Sequence, residues 1–297
     1  MTMPRPRRTT WRGLPAWEIT ARGTARETRV LVTDNGARIA SLQVAGYEWL
    51  AQPGFDTVVA PVYGDVYTDS LMAGWDEMAP SITGDEFPDH GEVWSVDWSV
   101  TGAEAGAVTH RVQGRAAAYT LERTTRVRAD GTMRLDYSVS TAASGGVPFL
   151  WAAHPQFRAP EPTTVAICPP PEAVVNVDEP DRPQDRPWAA EAVDIRDLVG
   201  PGGGTKVWIP PTLRADAVTV NSGGHVLTMR WDHAVAPYVG IWVDRGAYAA
   251  ETVVAVEPST GYYDDVARAR KNGRVLTLVP GRTVTWSIDL SFDDTGR

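Results

Sequence analysis

Three short stretches of the chain carry side chains able to move protons. In Phe87-Pro88-Asp89-His90-Gly91-Glu92-Val93-Trp94 a histidine sits among turn formers, and such a turn presents an imidazole outward. In 147–157, His154 closes an apolar run that begins at Val147; a polar ring there must be hydrogen-bonded or face a cavity. In 252–261, Glu257 follows five mostly apolar residues of a strand pattern and precedes Pro258. A carboxylate partly desolvated at the mouth of a strand has a raised pKa and can act as a base near neutral pH. Each also has a plain structural reading, as a satisfied core histidine or a solvated strand end. Two further acid contexts stand beside them: Asp244, ending the apolar stretch 238–244, and the adjacent Asp76 and Glu77 in a loop rich in turn formers. His110, His225 and His233 lie in ordinary polar strand or loop contexts.

Other chemistries find little support. His90, Glu92, His154 and Asp76 could be drawn as a metal-ligand set, but no His-x-x-x-His or similar spacing is present, so no metal is expected. There is no Gly-x-Ser-x-Gly elbow, and the glycines 202–204 lack the Lys-Ser/Thr of a phosphate loop, so no cofactor is expected. With 28 Lys+Arg against 37 Asp+Glu the formal charge is −9, which argues against nucleic acid and anionic membranes as partners. No segment approaches the ~18 apolar residues of a spanning helix. The basic stretch 1–12 is not followed by the apolar run of roughly 7–15 residues that a secretory signal needs. One cysteine, Cys168, permits no internal disulfide. A cytoplasmic location is the expectation, with the protein a monomer or homodimer.

The elements that must position these residues are strands. The 27 Gly and 23 Pro disfavour long helices, while alternating, β-branched runs recur. Residues 27–33 and 37–44 flank the turn Asp34-Asn35-Gly36. Residues 118–128 and 132–141 flank Ala129-Asp130-Gly131, and 275–278 and 282–292 flank Pro280-Gly281, which reads as a further hairpin. Strands are also expected at 225–231, 239–244 and 252–256. One short helix is expected near the C-terminus, begun by Asp264 and Asp265 and closed by Arg268, Arg270, Lys271 and Gly273. The proline-rich stretch 160–204 reads as a long connection with short strand pieces at a sheet edge. The division expected is 1–26 as an N-terminal tail (frayed over 1–12) and first-strand region, 27–292 as a single domain, and 293–297 as a C-terminal tail. The fold class is all-β, a large antiparallel β-sandwich.

Taken in order, the His-Gly turn near residue 90, His154-Pro155-Gln156-Phe157 and the apolar strand ending in Glu257-Pro258 resemble the galactose mutarotase-like family, whose best-known members are aldose 1-epimerases. The likeness runs over 27–292. It implies the family's β supersandwich, a small carbohydrate as substrate, His154 as general acid and Glu257 as general base. His90 would bind near the ring oxygen and Asp244 would bind sugar hydroxyls. Many members carry an arginine in a loop before the His-Gly motif. Here no arginine lies between Tyr67 and His90, and the loop carries Asp76 and Glu77 instead. That argues against a phosphorylated sugar, leaves Arg158 and Arg245 as substitutes, and gives Asp76 and Glu77 a place as hydroxyl or cation binders.

The resulting expectation is an aldose 1-epimerase-like isomerase acting on a neutral free sugar. Two alternatives stay open: a relative using the same His/Glu pair for isomerisation, ring opening or elimination on a glycoside or secondary metabolite, and a non-catalytic carbohydrate-binding protein. The aromatic usage fits a sugar cleft, with 12 Trp against 5 Phe. Trp75, Trp94, Trp151 and Trp242 each fall within four residues of a proposed site residue, and sugars pack flat C–H faces on such rings.

Overall fold

The structure is a computed structural model that describes residues 3–22, 26–179, 181–188 and 191–294. Tyr119–Val127 and Met133–Thr141 alternate strictly between buried and half-buried positions and pair antiparallel across Ala129-Asp130-Gly131. That period of two places one face of the hairpin on a core. Both belong to a nine-stranded sheet running from Val193–Asp194 through Thr163–Cys168, Ala217–Ser222, His225–Trp231 and Thr283–Asp294 to this hairpin, and then to Ala107–Gln113 and Ser99–Glu104.

The second layer is a thirteen-stranded sheet. Its path starts at Arg7–Trp11 and passes through Leu14–Arg22, Glu27–Thr33, Ile39–Val44, Trp75–Met78, Ala152–Pro155, Val253–Ser259, Tyr238–Asp244 and Gly204–Trp208 to Ala173–Asn176 and Gln184–Pro187. One buried apolar cluster draws on both sheets. Tyr137 and Trp286 of the smaller sheet stack at 5.1 Å, and Trp151 packs on them at 4.7 and 4.9 Å. The expected antiparallel sandwich is therefore what the chain forms. Among the described residues, no helix is long and apolar enough to cross a membrane.

Several expectations are corrected in detail. The stretch 1–12, read as a frayed tail, contains the edge strand Arg7–Trp11, paired with Leu14–Arg22. Arg7 to Glu18 at 2.6 Å and Arg8 to Asp34 at 2.5 Å fasten it; Met1 and Thr2 lie outside the described residues. Leu14–Arg22 in turn pairs along its length with Glu27–Thr33, so 14–22 is integral to the sheet that follows. At the other end the last strand runs on to 294, and 295–297 lie outside the described residues. The turn at Pro280-Gly281 forms but joins no hairpin. Leu276–Leu278 pairs with Val147–Phe149 in a separate ribbon, while Thr283–Asp294 crosses into the smaller sheet. The C-terminal helix is Val266–Lys271, with the Asp265 side chain accepting from the Arg268 N–H at 3.0 Å. A second, four-residue helix, Ile195–Leu198, sits in the proline-rich stretch, capped by Asp194. The rest of that stretch supplies Val193–Asp194 and Thr163–Cys168 to the smaller sheet, and Ala173–Asn176 and the edge strand Gln184–Pro187 to the larger.

Alternation also sends polar residues inward. Glu77 is fully buried between the sheets, where Arg123 Nη1 and the Tyr137 hydroxyl donate to Oε1 at 2.7 and 3.0 Å and Trp151 Nε1 donates to Oε2 at 2.7 Å. His110 lies opposite Arg123 across the strands and faces the same core, and burial pushes its imidazole down to about 3. Removing one partner of a buried ion pair leaves the other uncompensated. Glu77→Ala is thus expected to lower the unfolding free energy by about 3–5 kcal/mol in urea denaturation; a loss under about 1 kcal/mol, the size typical of exposed pairs, would contradict this role.

Candidate active site

Five adjacent strands of the large sheet set the site. Residues paired directly across strands share a face of the pleat. The register pairs Asp76 with His154, Ala152 with Ser259, Gly240 with Glu257, and Trp242 with Lys206. With the period of two along each strand, Asp76, His154, Glu257, Gly240, Trp242 and Lys206 all point to one face. Glu77, Ala153, Val256, Ile241 and Val207 point to the other, into the sandwich core. The first face is concave and holds a cavity of about 440 Å³ lined by His90, His154, Glu257, Lys206, Asp264, Asp178, Tyr67, Trp242 and Tyr248, among others.

His154 and Glu257 face each other there, Nε2 to Oε1 at 3.7 Å. Both are buried, His154 at 6% exposed and Glu257 at 0%. The far ring nitrogen of His154, Nδ1, lies 3.1 Å from the Tyr67 hydroxyl. That hydroxyl donates to Asp76 Oδ2 at 3.0 Å, and the Arg38 guanidinium stands 3.1 Å from the same oxygen. A hydroxyl has one proton to donate, so toward His154 it accepts. Nδ1 therefore carries the N–H, and Nε2 is the nitrogen left to exchange protons in the cavity. Burial pushes Asp76 up, while Arg38 and the Tyr67 hydroxyl pull it back.

On the carboxylate, Lys206 Nζ donates to Oε2 at 2.5 Å, and Oε1 has no hydrogen-bond partner among the described residues. The same ammonium donates to Asp264 Oδ1 at 2.6 Å. Burial pushes Glu257 above the usual carboxylate range and Lys206 draws it back. Burial, helped by the charges of His90, Lys206 and Arg38, pushes His154 well below the usual imidazole range. Lys206 is held above its ordinary value because its two carboxylates outweigh burial, so it stays an ammonium.

His90 completes the wall. Its turn brings Gly91 so close to Ala79 that a Cβ there would lie 2.3 Å from the Ala79 carbonyl oxygen, and Gly91 has φ +81°. The imidazole stacks on Tyr67 with ring centres 4.2 Å apart, and Nδ1 meets Asp89 at 2.8 Å. The other oxygen of Asp89 accepts from the Tyr67 N–H.

Of the residues expected from the sequence, His90, His154, Glu257 and Trp242 line the cavity, and Asp76 stands behind it through Tyr67. The others are placed elsewhere. Asp244 accepts four backbone N–H bonds, from Gly246, Ala247, Tyr248 and Ala249, at 2.7 to 2.9 Å; it shapes the loop that carries Tyr248 to the cavity. Glu77 and Trp151 are bonded to each other in the core, and Trp75 packs there against Phe157. Trp94 lies behind the site, edge-on to Tyr67, its indole N–H on the Asp89 carbonyl. Arg158 pairs with Glu251 and Arg245 with Glu161, and neither lines the cavity. The sequence pattern does not mark Lys206, Tyr67, Asp178 or Tyr248 as site residues, and it marks Asp264 only as a helix start. Lys206 did leave a trace: the chain has only two lysines, Lys206 and Lys271, among 28 basic residues. Among the described residues, no group of three or more His, Cys, Asp or Glu side chains is placed to hold a metal ion.

No protein-family model matches the chain, and no curated protein matches it. Solved structures do. A galactose mutarotase-like protein from Lactobacillus casei is 19% identical with a TM-score of 0.70, over 93% of this chain and 100% of that one. A galactose mutarotase related enzyme from Lactobacillus acidophilus is 14% identical with a TM-score of 0.69, over 94% and 98%. An aldose epimerase homologue from C. elegans is 11% identical with a TM-score of 0.64, over 95% and 100%. The chain has the galactose mutarotase-like fold.

The hydrogen-bond chain behind His154 makes a definite spectroscopic prediction. Above the pH at which the pair gives up its shared proton, the imidazole nitrogens of His154, observed by 15N NMR, are expected to report a neutral ring protonated on Nδ1. A ring protonated on Nε2 alone would contradict the direction assigned to the Tyr67 hydroxyl.

Proposed function

We propose that the protein interconverts the α and β anomers of a neutral free aldose by acid/base ring opening. The observation that carries this reading is the facing pair of His154 Nε2 and the unpartnered Glu257 Oε1, 3.7 Å apart in a cavity. Ring opening removes the proton of the anomeric hydroxyl and protonates the ring oxygen as the C1–O5 bond breaks. Glu257 takes the first proton and the His154 imidazolium supplies the second. The C1–C2 bond then rotates, and O5 attacks the other face of the carbonyl. On closure His154 takes the O5 proton back and Glu257 returns its proton to O1. Neither metal nor nucleotide enters the balance.

A reversible reaction of this kind visits both proton states of the pair in every turnover. Ordinary glutamate and histidine differ by about two pKa units, which favours carboxylate plus imidazolium by about 3 kcal/mol. Burial pushes Glu257 up and His154 down. Both shifts narrow that gap and bring the two states toward equal energy, which suits a step that must run in both directions.

A neutral substrate is supported by the charges in the wall. Asp89, Asp178, Glu257 and Asp264 line the cavity, and the one lysine among the lining residues, Lys206, is already engaged by two carboxylates. A phosphate would meet repulsion there without an arginine or lysine free to pair with it. Trp242 and Tyr248, with ring centres 5.9 Å apart, offer aromatic faces for the C–H side of a sugar ring.

Polarimetry on freshly dissolved aldoses tests the proposal: the protein accelerates mutarotation, and Glu257→Gln and His154→Asn each reduce kcat by about 10²–10⁴-fold with the circular dichroism spectrum unchanged. Lack of acceleration for any free hexose or pentose, or full activity in both variants, contradicts it. The profile of kcat/KM against pH is expected to be a bell, because activity needs one proton shared by the pair; its limbs belong to the pair jointly. A profile flat from pH 4 to 9 would be inconsistent with this mechanism.

A further inference from the structure

Lys206 reaches Glu257 by an unusual route. The strand Tyr238–Asp244 lies between theirs, and Gly240 pairs directly with Glu257 on one side and with Trp208 on the other. The lysine side chain crosses the intervening strand over Gly240. A Cβ built at Gly240 would lie 2.9 Å from Lys206 Cε and 3.3 Å from Glu257 Oε2. Gly240 does not have a positive φ, so its backbone suits any residue. What it provides is the gap through which the ammonium passes. At the far side Asp264, just ahead of the helix Val266–Lys271, receives the same ammonium.

We propose that Lys206, passing through the Gly240 gap, is a positioning residue that binds Oε2 of Glu257 and so leaves Oε1 as the oxygen of that carboxylate that takes the anomeric proton. As a permanent ammonium it neither donates the proton nor acts as an amine nucleophile. It acts through Glu257, holding the carboxylate both in orientation and in its ionised form inside a buried site. Asp264 anchors the ammonium and, as a like charge, works against Glu257 ionisation. The other charged or titratable groups facing Glu257 are His154 on the adjacent strand and His90 on its turn. Behind these stand Asp89, Tyr67, Asp76 and Arg38, and Asp178 accepts from the Lys206 backbone N–H.

This inference rests on the reading of Glu257 as the base, and its signature is a pair of opposite shifts. Removing the cation in Lys206→Met makes the Glu257 carboxylate harder to form, so the acid limb of kcat/KM moves to higher pH by about one to three units. Gly240→Ala, which displaces the ammonium without removing it, moves the limb the same way by a smaller amount. Removing the anion in Asp264→Asn moves it to lower pH. A residue that served only to hold the fold would not produce shifts of opposite sign at its two neighbours. The Glu257 carboxyl, observed by 13C NMR in protein labelled at glutamate Cδ and assigned by its disappearance in Glu257→Gln, should show the same three displacements without substrate. Limb and 13C midpoint unmoved in folded Lys206→Met and Gly240→Ala, or moved the same way in Asp264→Asn, overturn the proposal. Should Lys206→Met fail to fold, Gly240→Ala and Asp264→Asn decide it. If the wild-type protein shows no anomer exchange, the proposed function falls, while the 13C titrations still decide whether Lys206 controls Glu257.

Discussion

The pleat of the thirteen-stranded sheet is the constraint on which this molecule depends. Side chains along a strand alternate between its two faces, and here the faces have different tasks. One packs against the nine-stranded sheet and builds the core; the other curves around a cavity. Adjacent residues of the same chemical type therefore have unrelated roles. Asp76 stands behind the His154 imidazole through Tyr67, while Glu77, its neighbour, neutralises Arg123 between the sheets. A slip of one residue in any of the five central strands would exchange core and site along that strand. The seven-residue register between Tyr238–Asp244 and Val253–Ser259 and the five-residue one between Gly204–Trp208 and Tyr238–Asp244 fix three of these strands against each other.

Buried carboxylates on the two faces show what separates structural charge from chemical charge. Both oxygens of Glu77 are engaged, by Arg123 and Tyr137 on one and by Trp151 on the other. All the accepting capacity of Asp244 goes to the loop that follows it. Glu257 is held on one side only. Lys206 satisfies Oε2, and Oε1 is left facing a histidine whose other nitrogen is fixed by Tyr67. Burial then acts on both groups of that pair against their charged forms. The desolvation that around Glu77 requires a full set of partners is, around Glu257 and His154, what the proposed proton exchange draws on.

The residues legible in the sequence were those that interrupted a pattern. His154 ended an apolar run, Glu257 ended an apolar strand, and His90 sat between Asp and Gly in a turn; all three converge on the cavity. The hairpin at 129–131 and the C-terminal helix were legible from turn and capping residues, which act locally. What depended on pairing between distant segments was not legible. Nothing local distinguishes Asp244, closing its own loop, from an acid that faces a ligand. Tyr67 lies on a short 3₁₀ turn with no pattern to mark it, and Lys206 meets Glu257 only because three strands fall side by side over a glycine. Likewise the turn at Pro280-Gly281 is real, but its two arms go to different sheets because Val147–Phe149 offers Leu276–Leu278 a partner. Tryptophans near site residues in sequence divided by strand parity and loop position, with Trp242 alone of the four reaching the cavity.

In the proposed reaction Glu257 and His154 act together on one anomeric centre. A crystal structure of the protein soaked with an aldose that it converts would test this most directly. The anomeric hydroxyl is expected within hydrogen-bond distance of Glu257 Oε1 and the ring oxygen within that distance of His154 Nε2. A sugar ordered in the cavity with its C1–O5 unit beyond the reach of both groups would contradict it.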